Sequence, residues 1–74
     1  MTLQELKTLF EEDKQQKKNT YIVPLSKNNL RMIRDELCYV KEVKENSFAI
    51  FRALDGKLYE FSESKLKMFK LVGR

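Results

Sequence analysis

The stretch SFAIFRALDGKLYEF, residues 47–61, holds two strand-like runs on either side of Asp55-Gly56. Asp-Gly between such runs is the strongest short-range hairpin signal, because a two-residue turn needs positive φ at both central positions. A two-residue loop pairs Leu54 with Lys57. Period-two alternation then sets Ala53 against Leu58, Arg52 against Tyr59, Phe51 against Glu60 and Ile50 against Phe61. Phe48, Ile50, Tyr59 and Phe61 share one face, while Ala49, Phe51, Ala53 and Leu58 share the other. Both faces are substantially apolar. The hairpin therefore requires cover on both sides, from a helix or by curling into a small barrel. Arg52 is expected to lie over the Tyr59 ring at the rim of the core.

Working outward, YVKEVKE after Cys38 reads as a strand leading into the hairpin, and KLKMFKLV after it reads as a strand rather than a helix. TYIVPL is β-branched and aromatic, so it is a strand that Pro24 confines to a sheet edge or to the strand's own end. Thr2 followed by Glu5 forms a capping box, with Met1 and Leu6 at the hydrophobic-staple positions. Leu3, Leu6 and Phe10, widened by Leu9, then recur on one helical face. These features predict a helix over 3–17, with lysines suiting its carboxyl end and Asn19 as the stop. Between TYIVPL and Cys38, Leu30, Ile33 and Leu37 fit a short helix near 28–37, with an extended continuation of the sheet as the alternative.

The predicted class is α+β: an amino-terminal α-helix followed by a small antiparallel β-sheet or an SH3-like or Sm-like barrel. One domain spans 1–74, with a strand-rich body over 20–74. A chain of this length buries about 60% of the surface its unfolded form exposes, and its stability scales to roughly 4 to 11 kcal/mol. So small a core has little room for an enclosed active site. The chain has no His and one Cys, which removes the commonest general base and excludes Cys/His zinc chemistry. With two glycines there is no Gly-rich phosphate loop. The remaining acids are scattered among lysines. A non-enzymatic binding protein without cofactor or metal is the reading these absences favour.

Cys38 sits in LCYV and reads as a small buried side chain, and a lone thiol suits a reducing compartment. No apolar run is long enough to span a bilayer, and the amino end is acidic where a signal peptide is basic. The expected location is cytoplasmic, with no membrane partner.

Residues 1–16 carry a net charge of 2 − 4 = −2, and residues 17–74 carry 13 − 7 = +6. Basic strands interleaved with Tyr and Phe suit phosphate contact and base stacking. The candidate nucleic-acid-binding residues are Lys41, Lys44, Lys57, Tyr59, Lys65, Lys67, Lys70 and Arg74. RNA is the favoured ligand. The alternative is a protein-interaction module, such as a phage- or mobile-element-encoded inhibitor or adaptor of a host protein, since sheet edges and amphipathic helices are both recognition modes. Self-association into a homo-oligomer fits either reading.

The order of elements, a helix, then KKNTYIVPL, then YVKEVKENSFAIFRALDGKLYEFSESKLKMFKLV, resembles the Sm-like family, including its Hfq-like RNA chaperones. The resemblance implies a helix before five bent strands, assembly into rings, and RNA bound on the ring faces. Asn46 sits where the family has the Asn of a turn before an apolar strand. The chain departs from the family at the Tyr-Lys-His motif, where Tyr59 is followed by Glu60 and Phe61, and it lacks a glycine in LCYVKEVKE. No Sm-type RNA pocket is carried over, and the resemblance bears on the barrel more than on RNA. YIVPLSKNNLRMIRDEL is similar to the strand, Pro and short helix of AbrB-type swapped-hairpin DNA-binding domains.

Overall fold

The computed structural model describes residues 1–25 and 36–72; the predicted element near 28–37 falls almost entirely outside them, and Arg74 does so completely. The order is α1 (Leu3–Gln15), β1 (Tyr21–Pro24), β2 (Cys38–Val43), β3 (Ser47–Arg52), β4 (Leu58–Ser62), a 3₁₀ helix (Glu63–Met68) and β5 (Phe69–Leu71). The class is α+β, as the sequence predicts. The strands form one antiparallel sheet in the order β4-β3-β2-β1-β5. The sheet is open, with β4 and β5 as its edges.

α1 starts where the capping box places it: the Glu5 N–H donates to Thr2 Oγ1 at 3.1 Å, and the Thr2 N–H reaches Glu5 Oε1 at 3.4 Å. It ends earlier than the lysine run suggests. Gln16 caps it, and Lys17 takes the left-handed conformation at φ 59. Leu3 and Leu6 are buried and Phe10 packs beside them against the core. The next turn of chain is tied down by a buried polar pair, in which the Thr20 hydroxyl donates to Asp13 Oδ2 at 2.6 Å. The Thr20 carbonyl in turn accepts from the Val40 N–H. The end of the helix and the start of β1 are thereby fixed to β2.

Pro24 is the last residue of β1, opposite Phe69. Because β1 lies between β2 and β5, the strand-end position is the one that accommodates the missing N–H. β2 bends without a glycine: its register with β3 shifts between Val40 and Glu42, leaving Lys41 at the irregularity.

The hairpin forms, but its loop differs from the Asp-Gly expectation. Phe51 pairs with Leu58, Ile50 with Tyr59, Ala49 with Glu60 and Phe48 with Phe61. Gly56 alone has positive φ in the turn, and Asp55 does not. The Asp55 carboxylate accepts from the Lys57 N–H at 3.0 Å and from the Arg52 guanidinium, which stabilises a longer loop over a tight two-residue turn. The register consequently moves by two residues. Since side chains alternate with period two, a two-residue move leaves every side chain on its predicted face.

One face holds the core: Ile22, Cys38, Val40, Phe48, Ile50 and Phe69, covered by Leu3 and Leu6 of α1 and by Leu66 of the 3₁₀ helix. Phe48, Phe61 and Phe69 meet there with ring centroids 5.6 to 5.8 Å apart. Phe61 and Phe69 belong to opposite edges, so the sheet curls enough to bring its edges together through side chains. The expectation of a strand over KLKMFKLV holds only for Phe69–Leu71. Residues Glu63–Met68 instead form the 3₁₀ helix, because burying Leu66 over the inner face requires the chain to cross from the β4 edge to the β5 edge. On the opposite face cover is uneven among the described residues: Val23 and Ala49 are buried, Tyr39 and Phe51 are half-buried, and Leu58 is 51% exposed.

Candidate nucleic-acid interface

The predicted residues do not form one cluster. Lys44 and Glu60 are joined by an ion pair of 2.6 Å, with Ser47 also donating to Glu60. That contact raises the Lys44 pKa and lowers that of Glu60 through the shared hydrogen bond and charge attraction. The charge of Lys44 is thus compensated by Glu60, unlike that of the other lysines among the described residues. Lys41 is exposed, with Nζ 5.7 Å from the centre of the Phe51 ring. Lys57 follows the hairpin turn, Lys65 and Lys67 lie on the 3₁₀ helix, and Lys70 is the exposed central residue of β5. None of Lys41, Lys57, Lys65, Lys67 or Lys70 has an ion-pair partner among the described residues.

Tyr59 takes the place under Arg52 that the sequence predicts, which does not leave it free to stack on a base. It lies on the core side, parallel to Phe61 with the centroids 6.2 Å apart, and the Arg52 guanidinium sits over it at 5.6 Å. The shifted register makes this a diagonal contact between β3 and β4, still within reach of a long side chain. Arg52 also pairs with Asp55 and, at 3.2 Å, with the buried Glu36 at the approach to β2. These neighbours raise the Arg52 pKa further, chiefly through the Asp55 hydrogen bond, and hold the Asp55 carboxyl down at about 2. Arg52 is occupied as a structural clamp. Burial and the nearby Glu36 charge push the Cys38 thiol up to about 11, which suits an inert core side chain.

A second set of aromatic residues, the exposed Tyr21 and the half-buried Tyr39 and Phe51, is on the other face. Tyr21 pairs with Tyr39, Tyr39 with Phe51, and Phe51 with Leu58, while the Val72 N–H donates to the Tyr21 carbonyl. Tyr21 and Tyr39 meet edge to face at 6.5 Å, and Tyr39 and Phe51 are tilted at 5.2 Å. The Asn19 amide donates to the Tyr21 hydroxyl. This row escapes sequence reading because it depends on the β1–β2 register across a long connection. The available signal is the alternation of Tyr39 between Cys38 and Val40, which turn inward.

Among the described residues there is no group of three or more His, Cys, Asp or Glu side chains able to hold a metal ion, and no helix long and apolar enough to cross a membrane. A cleft of about 520 Å³ between the start of α1 and the β2–β3 connection is lined by Lys7, Lys44, Glu45 and Glu63 with Leu3 and Val43, a mixed-charge rim without an aligned acid–base pair. No family model, curated protein or solved structure matches the chain, so its functional reading rests on its own residues.

Proposed function

We propose that the protein is a non-enzymatic nucleic-acid-binding protein, with RNA as the favoured ligand. The observation that carries this reading is the set of lysines 41, 57, 65, 67 and 70, which have no carboxylate partner among the described residues. Such ammonium groups can take up phosphates without first breaking an ion pair, and each contact releases condensed counterions. Titration of labelled single-stranded RNA and duplex DNA across a salt series tests this. Affinity should fall steeply with salt, and the combined Lys67→Ala and Lys70→Ala changes should shallow the slope for single strands by roughly 1.4. No binding at low salt, or binding indifferent to salt, overturns the proposal.

A second reading, a protein-interaction module, is favoured by Leu54 at 72% and Leu58 at 51% exposure around the hairpin. A pull-down with and without nuclease separates the two: partners that vanish on nuclease treatment exclude it.

A further inference from the structure

We infer that the outer face of the sheet is a stacking platform for the unpaired bases of a single-stranded nucleic acid, with Tyr21, Tyr39 and Phe51 as its rings and Lys41 and Lys70 as its phosphate contacts. This rests on the nucleic-acid reading above and assigns it a surface and a ligand form.

The register lines up Val72, Tyr21, Tyr39, Phe51 and Leu58, one residue from the β4 edge to just beyond β5. All point away from the core, since their neighbours Ile22, Cys38, Val40 and Ile50 are the buried ones. Tyr21 is 36% exposed and Leu58 51%. Ala49 precedes Phe51 on this face of β3, and Ala53 follows just beyond the strand's end, so nothing bulky along that stretch stands beside the ring. Tyr21 is exposed and Tyr39 and Phe51 are half-buried, so the row of three rings leaves part of its apolar area in water for a ligand to cover.

Charge selects the occupant. Lys41 reaches the Phe51 ring, and Lys70 lies opposite Val23, on the same face as Tyr21. Neither has a carboxylate partner among the described residues; of the acids on this face, Glu60 is held by Lys44, and Glu42, opposite Ala49, is exposed to solvent. Cations beside a row of π-faces fit an anionic backbone carrying flat apolar bases. A duplex hides those faces by stacking its own bases. A single strand exposes them.

The test uses the unmodified chain and the variants Tyr21→Leu, Tyr39→Leu and Phe51→Leu, which keep apolar bulk and every charge. Labelled single-stranded RNA, single-stranded DNA and a duplex of the same sequence are titrated at several salt concentrations. Single strands should bind more tightly than duplex, and each ring change should weaken them about 5- to 150-fold with the salt slope unchanged. Ring-proton shifts of Tyr21, Tyr39 and Phe51 in the unmodified protein on adding a single strand give the same answer without any variant. Strands that bind and respond to Lys67→Ala but ignore all three rings overturn the platform and leave the nucleic-acid reading standing. No binding of any strand at low salt overturns both. A protein partner that persists after nuclease treatment and is lost in the ring variants also overturns the platform, in favour of protein docking.

Discussion

Ile50 and Phe51 are consecutive in β3, yet they live in different environments. Ile50 is fully buried between β2 and β4 with Phe48 two residues before it, while Phe51 is only partly buried beneath the Lys41 ammonium. The inner face gathers the buried Phe48 and Phe69 and the half-buried Phe61 into one contact under α1 and the 3₁₀ helix. The outer face spaces Tyr21, Tyr39 and Phe51 along a line, one to a strand. Aromatic residues are thus used twice in one small sheet. Parity along the strand, rather than residue type, decides which rings hold the fold and which remain open to a ligand.

That contrast is most directly broken by truncating one ring on each face. Phe48→Ala should cost about 3–5 kcal/mol in urea denaturation, close to the whole stability of a chain this small. Phe51→Ala should cost only about 1 kcal/mol, for the lost cross-strand contacts. Equal losses would mean that the outer row is core after all. The inner face also depends on how α1 is anchored. Thr20→Val keeps shape but removes the hydroxyl from Asp13 Oδ2 in a buried site, and should cost about 1–3 kcal/mol by the same measurement. A change within error would show that apolar contacts alone seat the helix.

Lys17→Gly lies on neither face and should sharpen the comparison as a gain. A lysine at φ 59 carries left-handed strain that glycine lacks, so the variant should be more stable by about 1 kcal/mol. Loss of stability would place the helix stop elsewhere. The smallest effect concerns the rim, where Arg52 and Asp55 are partly open to solvent and screened. The Asp55 value of about 2 lies below the usual unfolded value of about 3.9, so its contribution is complete above that and is lost as pH falls through about 2. Thermal midpoints should therefore fall more between pH 5 and 2 in the natural chain than in Asp55→Asn. Parallel curves would show that the clamp adds nothing.

Much of the fold is legible in the residues because local patterns fix it. Thr2 and Glu5 mark the start of α1, and alternation through 48–61 assigns the two faces even though the loop is longer than Asp-Gly implies. The loop itself is not legible: its length depends on the Asp55 carboxylate choosing the Lys57 N–H and the Arg52 guanidinium as partners. The 3₁₀ helix is hidden for another reason. Leu66, Met68 and Phe69 look alike to a periodicity argument, but Leu66 serves as a lid and Phe69 as a strand residue. For the candidate interface, lysines are easy to find by composition and mostly stay exposed. Tyr59 is taken up by the Arg52 guanidinium, the contact that the hairpin sequence predicts, and is therefore the weakest member of the candidate set.

The pairing of Ile22 with Leu71 has a kinetic meaning. A hairpin such as β3–β4 closes over a few residues, whereas the β1–β5 ladder joins positions from opposite ends of the sheet's sequence and must bear a larger loop-closure entropy. Folding is therefore expected to nucleate around the hairpin and add β5 late. Mutational φ-values should be high near Ile50 and Tyr59 and close to zero at Leu71. Until that last short strand docks, β1 presents a bare edge, and the interval before docking is when the chain is most exposed to pairing with another molecule.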